Sequence, residues 1–155
     1  MKEDDLMIDA SKIHLLAIKV FKSLLETTED FLNQPEKVTA YNFGVDQDFA
    51  TNPEDGIVRL RLYFKLEGYK AEQQPCGIEA EYGIEFHFQI DDFRDFVQEE
   101  EGEIKVHAMM GSTLTGIAYS TSRGIIMERM QGTFFDEVIL PVIDPFSVLQ
   151  KESKN

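Results

Sequence analysis

Two stretches of this chain alternate apolar and polar residues so regularly that any fold must contain them as half-buried strands. From Val58 to Leu66 the even positions Val58, Leu60, Leu62, Phe64 and Leu66 are apolar, with Arg59, Arg61, Tyr63 and Lys65 between them. After a polar turn around residues 68–77, the even positions Ile78, Ala80, Tyr82, Ile84, Phe86, Phe88 and Ile90 repeat the pattern, and Glu79, Glu81, Glu85, His87 and Gln89 face the other way. Successive side chains of a strand point to opposite faces, so each stretch has one greasy and one solvated side. The solvated sides carry opposite charge, which predicts an antiparallel hairpin whose cross-strand ion pairs contribute a few tenths to ~1 kcal/mol each.

The segments around this hairpin are less regular. Tyr41, Phe43, Val45 and Phe49 share one parity with polar residues between them, which predicts another strand, and the following ATNPEDG supplies a turn. Ile13 to Leu25 fits a helical stripe (Ile13, Leu16, Ala17, Val20, Leu24) as well as an alternating one (Leu16, Ile18, Val20), and periodicity alone leaves both open. Residues 26–36 read as a connecting loop and 91–103 as an acidic connector in which Glu99 to Glu101 are solvated. Residues 104–110 could be a strand or the onset of a helix. Gly111 and Ser112 read as a break and a cap before a helix carrying Leu114, Ile117, Ala118, Ile125 and Met130, which Gly132 stops.

The chain divides into a mobile acidic amino terminus, 1–12, one domain, 13–149, and a polar tail, 150–155. At 155 residues it can bury one core. A formal charge of -14 and the lack of a basic stripe argue against nucleic-acid binding. No run approaches the ~20 apolar residues that span a bilayer, so membrane insertion is not expected. MKEDDLMIDASK has no basic region followed by an apolar run, and Cys76, placed in the turn after Pro75, is the one cysteine; both fit a cytoplasmic protein.

Reactive constellations are missing. Ser120 and Ser122 lie in the expected helix without a Gly-x-Ser-x-Gly elbow, and His14, His87 and His107 lack the spacing of a zinc site. Neither DDFRD nor DQDFATNPEDG matches a calcium loop, and no Gly-rich phosphate cradle is present. The expectation is a protein that is not an enzyme, with no metal and no cofactor.

The block AYSTSRGIIMERMQGTFFDEVILPVI resembles the carboxy-terminal half of the SecB-type export chaperones, through Arg123, Gly132, Thr133, Phe134, Leu140, Pro141 and Val142. The resemblance implies an α+β fold, a four-stranded antiparallel sheet followed by a long helix packed on it, with residues 13–25 as the first strand. It also implies a homotetramer, a dimer of dimers, that holds unfolded or precursor polypeptides in apolar grooves without ATP and delivers them to the SecA translocase motor. Glu81 falls where the family has an acidic residue that contacts SecA. Leu24 and Thr28 stand where further acids are expected, and the stretch after Pro145 is short for the family's second helix, which is truncated or missing. Both departures leave room for a SecB-like adaptor or antitoxin-associated chaperone dedicated to one partner, or for a non-chaperone ligand-binding domain of the same fold.

Long, shallow binding of many sequences needs exposed apolar and aromatic area. The client-binding candidates are therefore Tyr41, Phe43, Val45 and Phe49 on the second strand, with Phe134, Phe135, Val138, Ile139, Leu140, Val142 and Ile143 beyond the helix. Leu114, Gly116, Ile117, Gly124 and Ile125 are assigned to the oligomer interface, the glycines permitting close approach.

Overall fold

The alternating stretches form β3 (Ile57–Tyr69) and β4 (Pro75–Ile90), paired antiparallel and flanked by β1 (Ile13–Thr27) and β2 (Ala40–Asn52). A computed structural model, which describes residues 7–38, 40–70 and 74–152, orders these as one antiparallel sheet, β1-β4-β3-β2. The even positions of β3 and β4 form its inner face, and Leu60, Leu62, Leu66, Phe86 and Phe88 are fully buried. The long helix α2 (Ala108–Arg129) covers that face with Met110, Leu114, Ala118, Tyr119 and Ile126.

β1 explains why its own periodicity could not be read. Its register against β4 shifts between Leu15 and Ala17 and again between Val20 and Lys22, so Leu16 and Phe21 are extra residues at bulges. Across them the positions sharing the inner face are Ile13, Leu15, Ile18, Val20, Ser23, Leu25 and Thr27, an alternation broken twice by a step of three. A strand interrupted in this way shows a mixture of the two-residue and helical repeats.

The expected loop 26–36 needs correcting. β1 runs to Thr27, and Thr28 caps a short helix α1 (Glu29–Asn33), accepting from the Phe31 amide at 3.3 Å. The acidic connector also holds structure: a 3-10 turn at Phe93–Phe96, then a hairpin of β5 (Val97–Glu100) and β6 (Glu103–Val106) turning at Glu101 and Gly102, with Glu99 to Glu101 exposed.

α2 begins earlier than the Gly111–Ser112 break predicts, at Ala108, where the His107 Nδ1 accepts from the Met109 amide at 3.2 Å. Gly111 stays helical with the Leu149 side chain packed over it. Gly132, at φ +77°, follows the helix end as expected. Cys76 lies in β4 and is buried, not in a turn. The second helix is short but present: α3 (Pro145–Glu152) packs on α2 and β2 and crosses the expected boundary at 150. Residues 1–6 of the expected mobile terminus and 153–155 of the tail lie outside the described residues.

Candidate functional site

β2 is the edge strand farthest from β1, and its inner face presents Tyr41, Phe43, Val45, Gln47 and Phe49 toward α2. The rings of Phe43, Phe64 and Tyr119 cluster there, with centroids 6.0–6.5 Å apart. Farther along, the Thr115 hydroxyl donates to the Gln47 Oε1 at 2.9 Å, both side chains being buried. These residues line a trough between the sheet edge and the helix.

The chain's own carboxy-terminal run fills this trough. The Tyr41 hydroxyl donates to the Ile139 carbonyl at 2.7 Å, and the Tyr119 hydroxyl donates to the Pro141 carbonyl. Burial pushes both phenols above their ordinary pKa, so they stay protonated donors. Pro145 then packs over Gly116, and Leu149 over Gly111. The run therefore descends α2 from Tyr119 toward Gly111 while passing along β2.

The client-binding candidates divide by burial. Val45, Phe135, Val138 and Leu140 belong to the core, with Phe135 and Leu140 fully enclosed. Tyr41, Phe43, Phe49 and Ile143 are partly buried, whereas Phe134, Ile139 and Val142 are exposed at 42, 64 and 83%. Phe134 stands edge-on to Phe31, at 4.9 Å, beside a surface cavity of about 370 Å³ that Val38 and Gly132 also line.

Sequence reasoning missed three contributors. Tyr119 was read only as part of the helix. Gln47 interrupts the apolar parity of β2, which was the available signal. β1 exposes Leu15, Leu16, Ile18, Phe21 and Leu24, more apolar surface than one buried face accounts for.

Of the interface candidates, Leu114 is fully enclosed within the chain and Gly116 lies under Pro145. Ile117 and Gly124 are exposed, nothing lies within 4 Å of where a Gly124 Cβ would stand, and Ile125 is partly buried.

The sheet's outer face is a charge ladder. Asp46 and Asp48 on β2, Arg59, Arg61 and Lys65 on β3, Glu81 and Glu85 on β4, and Lys19 and Lys22 on β1 alternate in sign strand by strand. Arg61 bonds Glu85 at 2.5 Å, as a β3–β4 pair should, but Arg59 turns to Asp48 and Glu81 pairs with Lys22. That bond to Lys22, followed by its charge and that of Lys65, lowers the Glu81 pKa. Leu24 lies opposite Glu81, and Thr28 is committed to capping α1.

Among the described residues no group of three His, Cys, Asp or Glu side chains could hold a metal ion, and no helix is long and apolar enough to cross a membrane.

No family model and no curated protein matches the sequence. The structure is similar to that of the Mycobacterium tuberculosis SecB-like chaperone Rv1957, solved in complex with a ChAD peptide from the Rv1956 HigA1 antitoxin. The likeness has a TM-score of 0.60 and 13% identity and covers 86% of this chain and 91% of that one. A Streptococcus agalactiae protein of unknown function matches with a TM-score of 0.42 and 11% identity, over 77% of this chain and 87% of that chain. Four antiparallel strands in this order with a long helix across one face make this chain a bearer of the SecB-like fold.

Proposed function

We propose that this protein is an ATP-independent, SecB-like molecular chaperone of the cytoplasm that holds unfolded or precursor polypeptides, assembled as a homotetramer. The observation that carries the reading is the trough between β2 and α2, lined by Tyr41, Phe43, Phe49 and Tyr119 and occupied by a run of the chain that leaves Ile139 and Val142 exposed, on a chain whose net charge is -14. An apolar trough with exposed apolar side chains on a strongly charged protein marks an interaction site. The apolar residues left open on β1, with Ile117 and Gly124 on α2, supply the surface for assembly.

A second reading, a chaperone or adaptor dedicated to one partner, is favoured over delivery to SecA by the pairing of Glu81. A carboxylate already neutralised by Lys22 offers little to a basic tail. The SecB-like chaperone of similar fold was solved in complex with an antitoxin peptide, and a single peptide partner fits this reading.

Capture from the protein's own cytosol, with identification of the bound chains, tests both readings. A holdase enriches many unrelated unfolded or precursor chains over a control protein of equal charge, and a dedicated chaperone enriches one. Enrichment of neither overturns the chaperone reading. A sizing experiment that finds only monomer overturns the tetramer.

A further inference from the structure

We infer that Tyr41, Tyr119 and Gln47 form a row of side-chain donors that reads the main-chain carbonyls of an extended polypeptide, and that the chain's own run Ile139–Ile143 occupies this row until a client replaces it. The inference rests on the client-binding reading above and names how that site recognises its ligand.

The two tyrosines bond carbonyls, not side chains. Every residue carries a carbonyl, so the contact is blind to sequence, as a holdase requires. The carbonyls belong to Ile139 and Pro141, two residues apart, and an extended chain presents alternate carbonyls on the same side. Among the described residues, no amide of 139–143 donates a hydrogen bond within the chain. The run is held as a bound peptide is held, by side chains that grip its backbone and by partial burial of its apolar groups, with Leu140 enclosed and Ile139 and Val142 left open.

Gln47 completes the row. It shares the inner face of β2 with Tyr41, and its partner Thr115 lies one helical turn from Tyr119. Its Nε2 is buried and, among the described residues, has no hydrogen-bond partner, the residue being 8% exposed. Thr115 is also unusual within α2. Thr113 and Thr121 each return their hydroxyl to the carbonyl four residues earlier at 2.8 Å, whereas Thr115 turns its own across the trough to Gln47. The resident run becomes helical at Pro145, beside Gly116, where the Ser147 amide bonds the Asp144 carbonyl. A client that stays extended past this point supplies the carbonyl that Gln47 lacks. The ligand class is thus an extended apolar segment of an unfolded polypeptide.

The test compares the full chain with its Gln47→Met variant, using reduced and carboxymethylated α-lactalbumin, a permanently unfolded protein, as the probe. Methionine has a similar volume and no donor. The variant loses both the donor without a partner and the acceptor for Thr115, whose hydroxyl can return to the carbonyl four residues earlier as those of Thr113 and Thr121 do, so it is expected to melt close to the parent while binding the probe about 5- to 10-fold more weakly, because one client hydrogen bond is lost. A merely structural Gln47 would move stability and binding in the same direction, and that result, or unchanged binding, overturns the inference. Should the variant fail to fold, the side-chain amide resonances of Gln47 in the unmodified protein decide. They shift and gain protection from exchange when the probe binds, or the inference fails. If the unmodified protein does not bind the probe at all, the holdase reading falls and this inference with it. Binding with Gln47 silent removes this inference alone.

Discussion

On β4, Phe86 is fully buried beneath the helix layer, while its neighbours Glu85 and His87 point to the opposite face and bond each other at 2.6 Å. The same alternation runs through β3, where Leu60 and Leu62 face inward and Arg59, Arg61 and Tyr63 face outward. The inner face coheres through non-directional burial, which tolerates many apolar sequences and sets the topology. The outer face coheres through named pairs that depend on geometry and protonation. Its alternating signs also show that the large negative charge is not spread evenly: among the described residues, carboxylates without a salt-bridge partner gather in places such as the β5–β6 tip, at Glu99 and Glu101. A partner approaching the outer face therefore meets a patterned surface in place of a uniform acidic field.

The largest expected effect lies on the inner face. Phe86→Ala leaves a cavity where the ring stacks beside Phe88 and should cost about 3–5 kcal/mol in urea unfolding. An outer-face truncation of equal cost would erase the distinction between the faces.

Next comes Glu85, whose hydrogen bonds from His87 and then Arg61 hold its pKa down from 4.5 to about 2. A carboxylate with a depressed folded-state pKa contributes stability that is present above its unfolded value and lost as pH falls through the folded one. Glu85→Gln should therefore be less stable than the parent by roughly 2–3 kcal/mol at neutral pH, and the gap should close between about pH 4.5 and 2. Thermal melts of both proteins across that range check this. A gap independent of pH would mean that Glu85 acts by shape and not by charge.

The two faces also differ in how readable they were. Burial leaves its period in the sequence, so β3, β4 and the apolar parity of β2 could be located from residue types alone, as could the stop at Gly132. β1 could not, because its two bulges reset the parity at Leu16 and Phe21. The hairpin β5–β6 has almost no buried side to reveal it, and α1 buries only Phe31. α2 begins before the break that Gly111 predicts, because the fit of Gly111 beneath Leu149 is decided by tertiary packing. The candidate trough was visible as a list of apolar residues, but composition cannot separate adjacent Phe134 and Phe135, one 42% exposed and the other fully buried. Tyr119 and Gln47 needed the fold itself, since what distinguishes them is the hydrogen bond each makes or lacks.

Smaller effects sharpen the outer face. Phe21, displaced outward by its bulge, lays its ring over Gly83, stands edge-on to Tyr63 at 5.6 Å, and lies beneath the Arg61 guanidinium. A Cβ on Gly83 would clash with the Phe21 ring. The ring is half exposed and can swing aside, so Gly83→Ala should cost only about 1 kcal/mol, the value of the lost aromatic contacts. The Tyr63 ring resonances should move with it. Unmoved resonances would show that the Phe21–Tyr63 pair survives without Gly83.

The smallest effect should have the opposite sign. Glu79 lies directly between Glu26 on β1 and Glu67 on β3, a row of three like charges on a face where the row Lys19–Glu85–Arg61–Asp48 alternates in sign. Like charges directly opposite one another across strands are destabilising. Glu79→Lys restores the alternation and should stabilise the chain by about 0.5–1 kcal/mol at low salt, with the gain shrinking as ionic strength screens the row. A loss of stability at every salt concentration would mean that the outer face is not governed by cross-strand charge. A gain that persists at high salt would assign the change to packing, and the contrast between the faces would then be one of degree.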